Sequence, residues 1–430
     1  MRTKMTDESR ELSRREFLKT TGATAALVGM GLNAVPSVAQ DKPVPANGKI
    51  VLGVIGCGGR GQRHIGSFGQ YADVETGGKA KAYSDFRKLL EQKDIDAVVV
   101  ATPPHWHPLI SIHACQARKD VYCEKPICLV PAEGYAMLKA ARDNKRVTQV
   151  GTQIHARENF RRCVEIVRSG MLGKVPSVHV ICTLNEYPGG LGRPADTPPP
   201  QGLDWDMWLG PAPVAPFNMA KFVGGQHRYF RDYVGSWLNE LGPHIVDLAY
   251  WAMDPGEPVA VSASGGRFVA DDISDIPDVL DVLWEYPGFV MSWVHTACNS
   301  FNFGFGAPPD GGRRQSVMFH GNKGTLIGDY RDLRIFAEGD RLKNAKEPEP
   351  SIPASPGHER EFLDSIKSRV QPPCSFEYHV PLAVALTLGH IAFRTGRKIK
   401  WDPKNHRVIG DREADALCQA RYRKPWRLPA

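Results

Sequence analysis

A glycine-rich turn constrains this chain more than any other feature. Lys49–Ile55 is an apolar run typical of a buried strand, the turn Gly56-Cys57-Gly58-Gly59-Arg60-Gly61 follows it, and a helical stretch begins at Gln62. Between a strand and a helix, the pattern Gly-x-Gly-x-x-Gly lets the backbone turn tightly and approach a pyrophosphate at the helix N-terminus. The segment therefore predicts a dinucleotide-binding fold that holds phosphates at Gly56, Gly58, Gly59, Arg60 and Gly61.

Strands and helices alternate after this turn. Helices are predicted at Ser84–Lys93 (Ser84 as N-cap), His105–Arg118 and Pro131–Lys145, and buried strands at Asp96–Thr102, Asp120–Glu124 and Arg146–Gly151. Strands separated by helices predict a parallel, doubly wound sheet. Ligands of such sheets bind beyond the carboxyl ends of the strands, so the glycine turn, Thr102–His105 and Glu124–Pro126 should converge on one crevice.

One element of this fold does not fit into the sequence. A second strand should end in an acidic residue for the adenosine ribose, about 20 residues past the glycines. Residues 71–83 leave no room for a strand and a crossover helix, although Asp73 or Glu75 could replace the carboxylate. We therefore predict a Rossmann-type sheet that lacks its second strand and helix.

The second half of the chain has a different pattern. Alternating strands are predicted at Val175–Leu184, Val259–Val269, Val279–Ala297, Gln315–Phe319 and Thr325–Asp329. These strands predict an α+β domain with a mostly antiparallel open sheet. A helix around Ala383–Thr395 should pack back on the first domain. The predicted organisation is a signal peptide (1–39), a linker (40–48), a dinucleotide-binding domain (49–155) and a substrate and oligomerisation domain (156–430).

The first 39 residues resemble an export signal. Ser13-Arg14-Arg15-Glu16-Phe17-Leu18-Lys19 is a twin-arginine pattern, followed by a Gly/Ala-rich apolar run and by small residues ending at Ala39. We predict recognition by the twin-arginine translocation machinery, cleavage after Ala39 and a periplasmic protein. The alternative, an amphipathic helix or membrane anchor, is disfavoured because the run is too short to span a bilayer.

Composition excludes several classes of partner and site. The net charge of +7 is diffuse, so nucleic-acid binding has little support. The nine cysteines are odd in number and contain no Cys-x-x-Cys pair, and Cys57, Cys123 and Cys128 fall in predicted interior segments, so we expect buried free thiols. His105, His107 and His113 lack metal-ligand spacing, so we predict no metal site.

Two short segments carry candidate chemistry. Glu240 and His244 are spaced i, i+4 and share one face of a predicted helix that includes Gly242-Pro243. They could form a catalytic pair or an ordinary exposed carboxylate–imidazole pair. Lys125 is a cation at a strand end, either functional or simply solvated. Aromatic and acidic residues follow in Asp204-Trp205-Asp206-Met207-Trp208, which suits a sugar but also a hydrophobic core.

These motifs together resemble the Gfo/Idh/MocA family of NAD(P)-dependent oxidoreductases. The resemblance rests on the glycine turn and on Ala101–His107, Val121–Pro126, Glu240–His244, Gly396–Pro403 and Pro425–Leu428. It departs from the family at the gap after Val74, and Glu240 stands where the family has Asp. The resemblance implies a bound NAD or NADP, a C-terminal α/β domain and a homo-oligomer.

The resemblance also implies roles for individual residues. His244 would be the general base, with Lys125 contacting the substrate oxygen and Glu240 assisting. Glu124 and Lys125 would lie near the nicotinamide end, and the cofactor pocket would be lined by Thr102, Pro104, His105 and Trp106, with His107 on the following helix. Candidate substrate contacts are Trp205, Trp208, His227, Arg228 and Tyr229.

Three functions agree with these residues. The first is an oxidoreductase that moves hydride to or from a sugar, cyclitol or sugar derivative. The second is an NAD-dependent glycoside hydrolase that oxidises its substrate transiently and keeps its cofactor, which export favours. The third is a non-catalytic sugar-binding relative, which the missing ribose strand would allow.

Overall fold

A computed structural model describes residues 48–76, 80–186, 190–302 and 314–429 of the chain. The predicted signal peptide and all but the last residue of the predicted linker lie outside these ranges. Within them, no helix combines the length and apolar character needed to cross a membrane.

The first domain is built on a parallel sheet. Its elements are β1 (Leu52–Ile55), α1 (Gly59–Gly69), α2 (Phe86–Leu90), β2 (Ala97–Val100), α3 (His107–Gln116), β3 (Asp120–Cys123), α4 (Pro131–Asp143) and β4 (Thr148–Val150). In the described part of the chain the four strands pair in the order β1-β2-β3-β4, all parallel. The predicted Rossmann-type sheet is therefore confirmed.

A single β-bridge stands in the place of the missing second strand. Ile50 and Val74 form an isolated parallel bridge beside β1, and the described residues between α1 and α2 form no strand. Asp73 accepts from Arg360 at 2.8 Å and from Lys367 at 2.5 Å, while Glu75 pairs with Lys49 at 3.7 Å. Both acidic residues that could have served a ribose are thus engaged within the protein.

Two helix starts differ from prediction. Ser84 is not an N-cap: α2 begins at Phe86, and the Asp85 carboxylate accepts from the Arg87 amide at 2.9 Å. The predicted helix His105–Arg118 begins instead as a 3-10 turn, Pro104–Trp106, that leads into α3. A proline at the first position suits such a turn because its φ is fixed and it needs no amide partner.

The second domain is a large open sheet. Its strands are β5 (Ser177–Thr183), β6 (Ala260–Gly266), β7 (Val279–Tyr286), β8 (Phe289–Thr296), β9 (Arg314–His320), β10 (Gly324–Asp329), β11 (Leu333–Ala337), β12 (Ile399–Asp402) and β13 (Arg407–Ile409). The described strands pair in the order β11-β10-β9-β5-β8-β7-β6-β12-β13. Among the described strand pairs of this sheet only β5 and β8 are parallel, so the mostly antiparallel sheet is confirmed. The predicted single strand Val279–Ala297 is wrong, because Gly288, with a φ of 91°, turns it into a hairpin.

The second half of the chain also contains helices, some of which pack on this sheet. They are α5 (Glu158–Arg168), α6 (Trp205–Leu209), α7 (Met219–Phe222), α8 (Arg231–Val234), α9 (Trp237–Met253), α10 (His358–Ser368), α11 (Phe376–Thr395) and α12 (Arg412–Leu417). Helix α9 continues through Pro243, and α11 is longer than the predicted Ala383–Thr395. The start of α11 reaches the parallel sheet, where the Phe376 amide donates to Thr148 Oγ1 at 3.1 Å.

The cysteines are free thiols, and most of them are buried. The exceptions are Cys298, which is half-buried, and Cys57, which is exposed. The prediction that Cys57 lies in the interior is wrong, because the glycine turn carries it past the end of β1 to the surface of the turn.

Candidate active site

A lysine and a glutamate from the two domains meet at the edge of the parallel sheet. Lys125 follows β3, and its Nζ donates to Glu240 Oε1 at 2.6 Å and to the Glu240 carbonyl at 3.0 Å. Arg228, from the 3-10 segment Val223–Tyr229, places its Nε 2.8 Å from the same carboxylate oxygen. The peptide bond between Lys125 and Pro126 is cis. One carboxylate thus holds two cations, and the cluster carries a net positive charge.

Burial and charge fix the protonation of this cluster. Burial alone raises the pKa of Glu240, but Lys125 and Arg228 outweigh it and hold that pKa below its ordinary value. Burial lowers the pKa of His227 to about 4, against the opposing effect of Glu240, so His227 is neutral at pH 7. Arg228 is the most exposed member, with 45% of its side chain accessible.

His244 lies one helical turn beyond Glu240 on α9. It is half-buried, and its carbonyl accepts a hydrogen bond from the Tyr330 hydroxyl at 3.1 Å. The Glu240 carboxylate contacts Lys125 and Arg228, and its predicted role in assisting His244 stays a prediction. No signal in the sequence marked Asn239, a buried residue that lines a small cavity with Lys125 and Pro126. Its side-chain amide has no hydrogen-bond partner within the described ranges.

Glu124 joins the glycine turn to the end of β3. Its Oε1 accepts from Arg60 Nε at 2.6 Å and lies 2.7 Å from His64 Nε2. Burial raises the pKa of Glu124, but the hydrogen bond from His64 and the charge of Arg60 reverse this and lower it to about 2. Arg60 is therefore positioned by Glu124, and His64, which no sequence motif marked, completes the contact.

The glycine turn fits a pyrophosphate. Gly56 has a φ of 92°, and an added Cβ would meet the backbone of Ala101 and Thr102 at 2.6 Å. A Cβ on Gly61 would meet the Gly56 carbonyl at 2.1 Å, whereas Gly58 and Gly59 face open space. The buried Thr102 hydroxyl has no hydrogen-bond partner in the part of the chain that the structure describes. The N-terminus of α1 is therefore open to an anion, beside an unpaired hydroxyl donor.

The adenosine end does not fit the family pattern. A carboxylate that binds a ribose diol must be free to accept, and Asp73 is already held by Arg360 and Lys367 on α10. The residues described here thus fit the phosphate end of a dinucleotide and lack the expected ribose contact.

Several predicted pocket residues contact other parts of the protein. His105 Nε2 and Trp106 Nε1 each lie 3.0 Å from the Trp208 carbonyl, and both side chains are buried. His107 lies between the carbonyls of Pro126 and Thr102, at 2.7 and 2.8 Å. Pro104 is buried in the 3-10 turn. These contacts hold the rim of the crevice together, and the predicted role of these residues in lining the cofactor pocket stays a prediction.

The aromatic and acidic patch around Trp205 belongs to a hydrophobic cluster. Trp205 stacks on Trp208 at 4.5 Å and packs edge-on against Phe217. Asp204 caps α6, and Asp206 pairs with Arg423 at 2.8 Å. Trp205 is thus part of a hydrophobic cluster, whereas Trp208 is half-buried, and contact of these residues with a sugar stays a prediction. Tyr229, another expected substrate contact, donates its hydroxyl to Glu186 at 2.7 Å.

A separate cavity of about 750 Å³ opens at the carboxyl end of β4. Its lining includes Gln153, Arg157, Arg331, His358 and Glu359, and it contains none of the predicted site residues. The Lys125–Glu240 cluster remains the better candidate site, because it lies where the strand ends and the glycine turn meet.

A glycine turn on a parallel sheet, with a buried Lys–Glu pair at its edge, defines a protein of the Rossmann-type, dinucleotide-binding class. Two family models agree: the "Oxidoreductase family, NAD-binding Rossmann fold" over residues 50–152, and the "Oxidoreductase family, C-terminal alpha/beta domain" over residues 158–288 and 313–428. The chain belongs to the Gfo/Idh/MocA oxidoreductase family. A twin-arginine translocation signal model matches residues 11–31.

Curated relatives are distant and matched in part. The chain is 26% identical over 204 residues to an alpha-N-acetylgalactosaminidase of Shewanella oneidensis, a match that covers 38% of this chain and 44% of the relative. It is 24% identical over 263 residues to a levoglucosan dehydrogenase of Pseudarthrobacter phenanthrenivorans, covering 60% of this chain and 62% of the relative. The chain thus spans less than half the length of the first of these relatives.

Solved structures share the fold. The WlbA dehydrogenase of Bordetella pertussis, crystallised with NADH and UDP-GlcNAcA, superposes with a TM-score of 0.60 at 19% identity, covering 82% of this chain and 99% of that one. At this level of identity the likeness establishes the architecture, and the function must be argued from the site.

Proposed function

We propose that this protein is an NAD(P)-dependent oxidoreductase acting on a hydroxyl-bearing carbon of a sugar, cyclitol or sugar derivative. The observation that carries the proposal is the contact between Lys125 and Glu240, two residues 115 positions apart. This contact joins the Lys125 ammonium, at a strand end of the nucleotide domain, to helix α9 of the second domain. The pair lies beside the open glycine turn. Relatives with dehydrogenase activity on levoglucosan and inositol support the substrate class.

The residues divide the chemistry between them. A nicotinamide nucleotide held at the glycine turn would supply the acceptor or donor of the hydride at the substrate carbon. Lys125 donates a hydrogen bond to the oxygen on that carbon and stabilises negative charge that develops there. Glu240 holds the ammonium in place. His244 accepts the hydroxyl proton, because imidazole titrates near neutral pH.

A second candidate, an NAD-dependent glycoside hydrolase, is favoured by the similarity to the Shewanella enzyme and by the twin-arginine signal. An exported enzyme that restores its own cofactor within each turnover needs no supply of nucleotide outside the cytoplasm. The two candidates use the same Lys125 and His244, and they differ in whether reduced cofactor accumulates.

The test is a substrate survey with free sugars, cyclitols and aryl glycosides, following NADH absorbance and released aglycone in parallel. We expect net cofactor reduction with a free sugar or cyclitol. Release of aglycone without net reduction would favour the hydrolase, and saturable sugar binding with neither product would favour a binding protein.

Variants test the residue roles in the same assay. Lys125→Met should lower turnover by about 10²–10³, the usual effect of removing one donor to a developing oxyanion. His244→Ala should lower it by about 10²–10⁴. The exposed Lys139→Met and the half-buried His113→Ala serve as matched controls and should retain activity. Near-normal turnover of either test variant in folded protein would reject its assigned role.

A further inference from the structure

Three buried side chains with metal-binding atoms meet away from Lys125. His155 comes from the 3-10 turn Gln153–Ala156, Asp247 from α9, and Cys374 from the loop before α11. One ligating atom of each residue lies within 4.8 Å of those of the other two, and all three side chains are buried. His155 Nε2 and Asp247 Oδ1 are 3.2 Å apart. Three segments distant in the sequence therefore direct a nitrogen, an oxygen and a sulfur to one point.

The protein leaves part of this cluster unsatisfied. Asp247 Oδ2 and His155 Nδ1 are buried atoms with no hydrogen-bond partner among the described residues, and the Asp247 side chain is completely inaccessible. Burying a carboxylate oxygen without a partner costs free energy, because the oxygen loses its hydrogen bonds to water and forms none within the protein. Among the described residues, Asp247 forms an ion pair with His155 and none with a lysine or an arginine.

Neighbouring side chains hold the donors in place. The Tyr378 hydroxyl donates to Asp247 Oδ1 at 2.5 Å, which leaves Oδ2 as the free oxygen. The His155 ring stacks on Trp251 with centroids 4.0 Å apart and an interplanar angle of 8°. The hydrogen bond from Tyr378 is an outer contact of the kind that orients the carboxylate ligands of a metal centre. By contrast, His107, which the sequence made conspicuous, has a backbone carbonyl near each ring nitrogen.

We propose that His155, Asp247 and Cys374 bind one divalent zinc ion. A mixed nitrogen, sulfur and oxygen donor set suits zinc, whereas magnesium and calcium prefer oxygen ligands alone. The ion would offset the Asp247 charge and tie α9, which carries Glu240 and His244, to the segments that follow β4 and precede α11. The proposal is independent of which reaction the Lys125 site performs.

The first test is the metal content of the intact exported protein, purified without chelator or polyhistidine tag and measured by plasma mass spectrometry. We expect about one zinc per chain. Cys374→Ser and Asp247→Asn should lose most of it, while Cys163→Ser, another fully buried free thiol, should keep it. Unchanged zinc content in both ligand variants would overturn the proposal.

A second measurement needs no variant to fold. Cobalt(II) added to metal-depleted wild-type protein should give the near-ultraviolet charge-transfer band of a cysteine sulfur bound to cobalt, and zinc should abolish that band. Wild-type protein that contains no metal as purified and gives no such band would show that the cluster is a hydrogen-bonded network only, and the proposal would fail.

Discussion

At the scale of single residues, two buried carboxylates at the crevice each contact two basic side chains. Glu240 binds Lys125 and Arg228, and Glu124 binds Arg60 and His64. The adjacent residues Glu124 and Lys125 thus make contacts in different directions. Glu124 contacts the glycine turn, and Lys125 contacts α9. The sequence motif predicted both residues as part of the site but could not predict their partners, because those come from elements distant in the chain.

Glu124 should make the stability of the protein depend on acid. Its pKa is lowered from 4.5 to about 2 in the folded state, so the stabilisation is complete above pH 4.5 and is lost as the pH falls toward 2. Glu124→Gln should lower the free energy of unfolding at pH 6 and flatten its decline between pH 5 and 3, as measured by urea unfolding.

Glu91→Gln is the control for this prediction. Glu91 forms an exposed pair with Lys88, and such pairs contribute little to stability. Its pH profile should match that of the wild type. An equally steep decline in Glu124→Gln would show that the Arg60–Glu124–His64 contact does not stabilise the fold.

At the scale of elements, the local signals in the sequence predicted most of the fold. The glycine turn, the buried strands and the absent second strand all follow from apolar runs and from the length of residues 71–83. The prediction of Ser84 as a cap is wrong because the neighbouring Asp85 takes that position. The packing of Trp205 and Trp208 against aromatic side chains could not be predicted, because no local pattern brings those residues together. The His155–Asp247–Cys374 cluster was equally invisible, because its spacing is set by the tertiary fold.

The gap after Val74 should weaken cofactor binding. Charged hydrogen bonds to a ribose contribute about 1.5–3 kcal/mol each, and Asp73 cannot supply them while it holds Arg360 and Lys367. Grafting a family-typical strand and helix between Val74 and Lys79 should therefore tighten NAD binding by one or more powers of ten in calorimetry. Equal, tight affinity in the two forms would show that the unmodified chain holds the ribose by another route.

At the scale of the whole molecule, the match to a twin-arginine signal indicates export across the cytoplasmic membrane. This pathway carries folded proteins, so a nucleotide could be acquired before export. Arg14→Lys combined with Arg15→Lys should leave an uncleaved precursor in the cytoplasm, detected by fractionation and N-terminal sequencing. A single Lys4→Arg change serves as the control. Processed protein outside the inner membrane in the double variant would contradict the export proposal.

The open sheet of the second domain is where we predict contact between copies of the chain. The strand β8 presents the partly exposed Val290 and the adjacent β7 presents Leu283, at 38% accessibility each. The homo-oligomer remains a prediction from the family resemblance.

The most direct test of the account is nucleotide binding to the mature chain. Calorimetric titration with NAD and NADP, with mass spectrometry of a freshly purified and denatured sample to detect retained nucleotide, should show a nicotinamide nucleotide bound by at least one of the two criteria. Gly61→Val should abolish it, because its side chain would meet the Gly56 carbonyl, where even a Cβ comes within 2.1 Å. Wild-type protein that retains no nucleotide and binds neither NAD nor NADP would contradict the assignment of this site to redox chemistry.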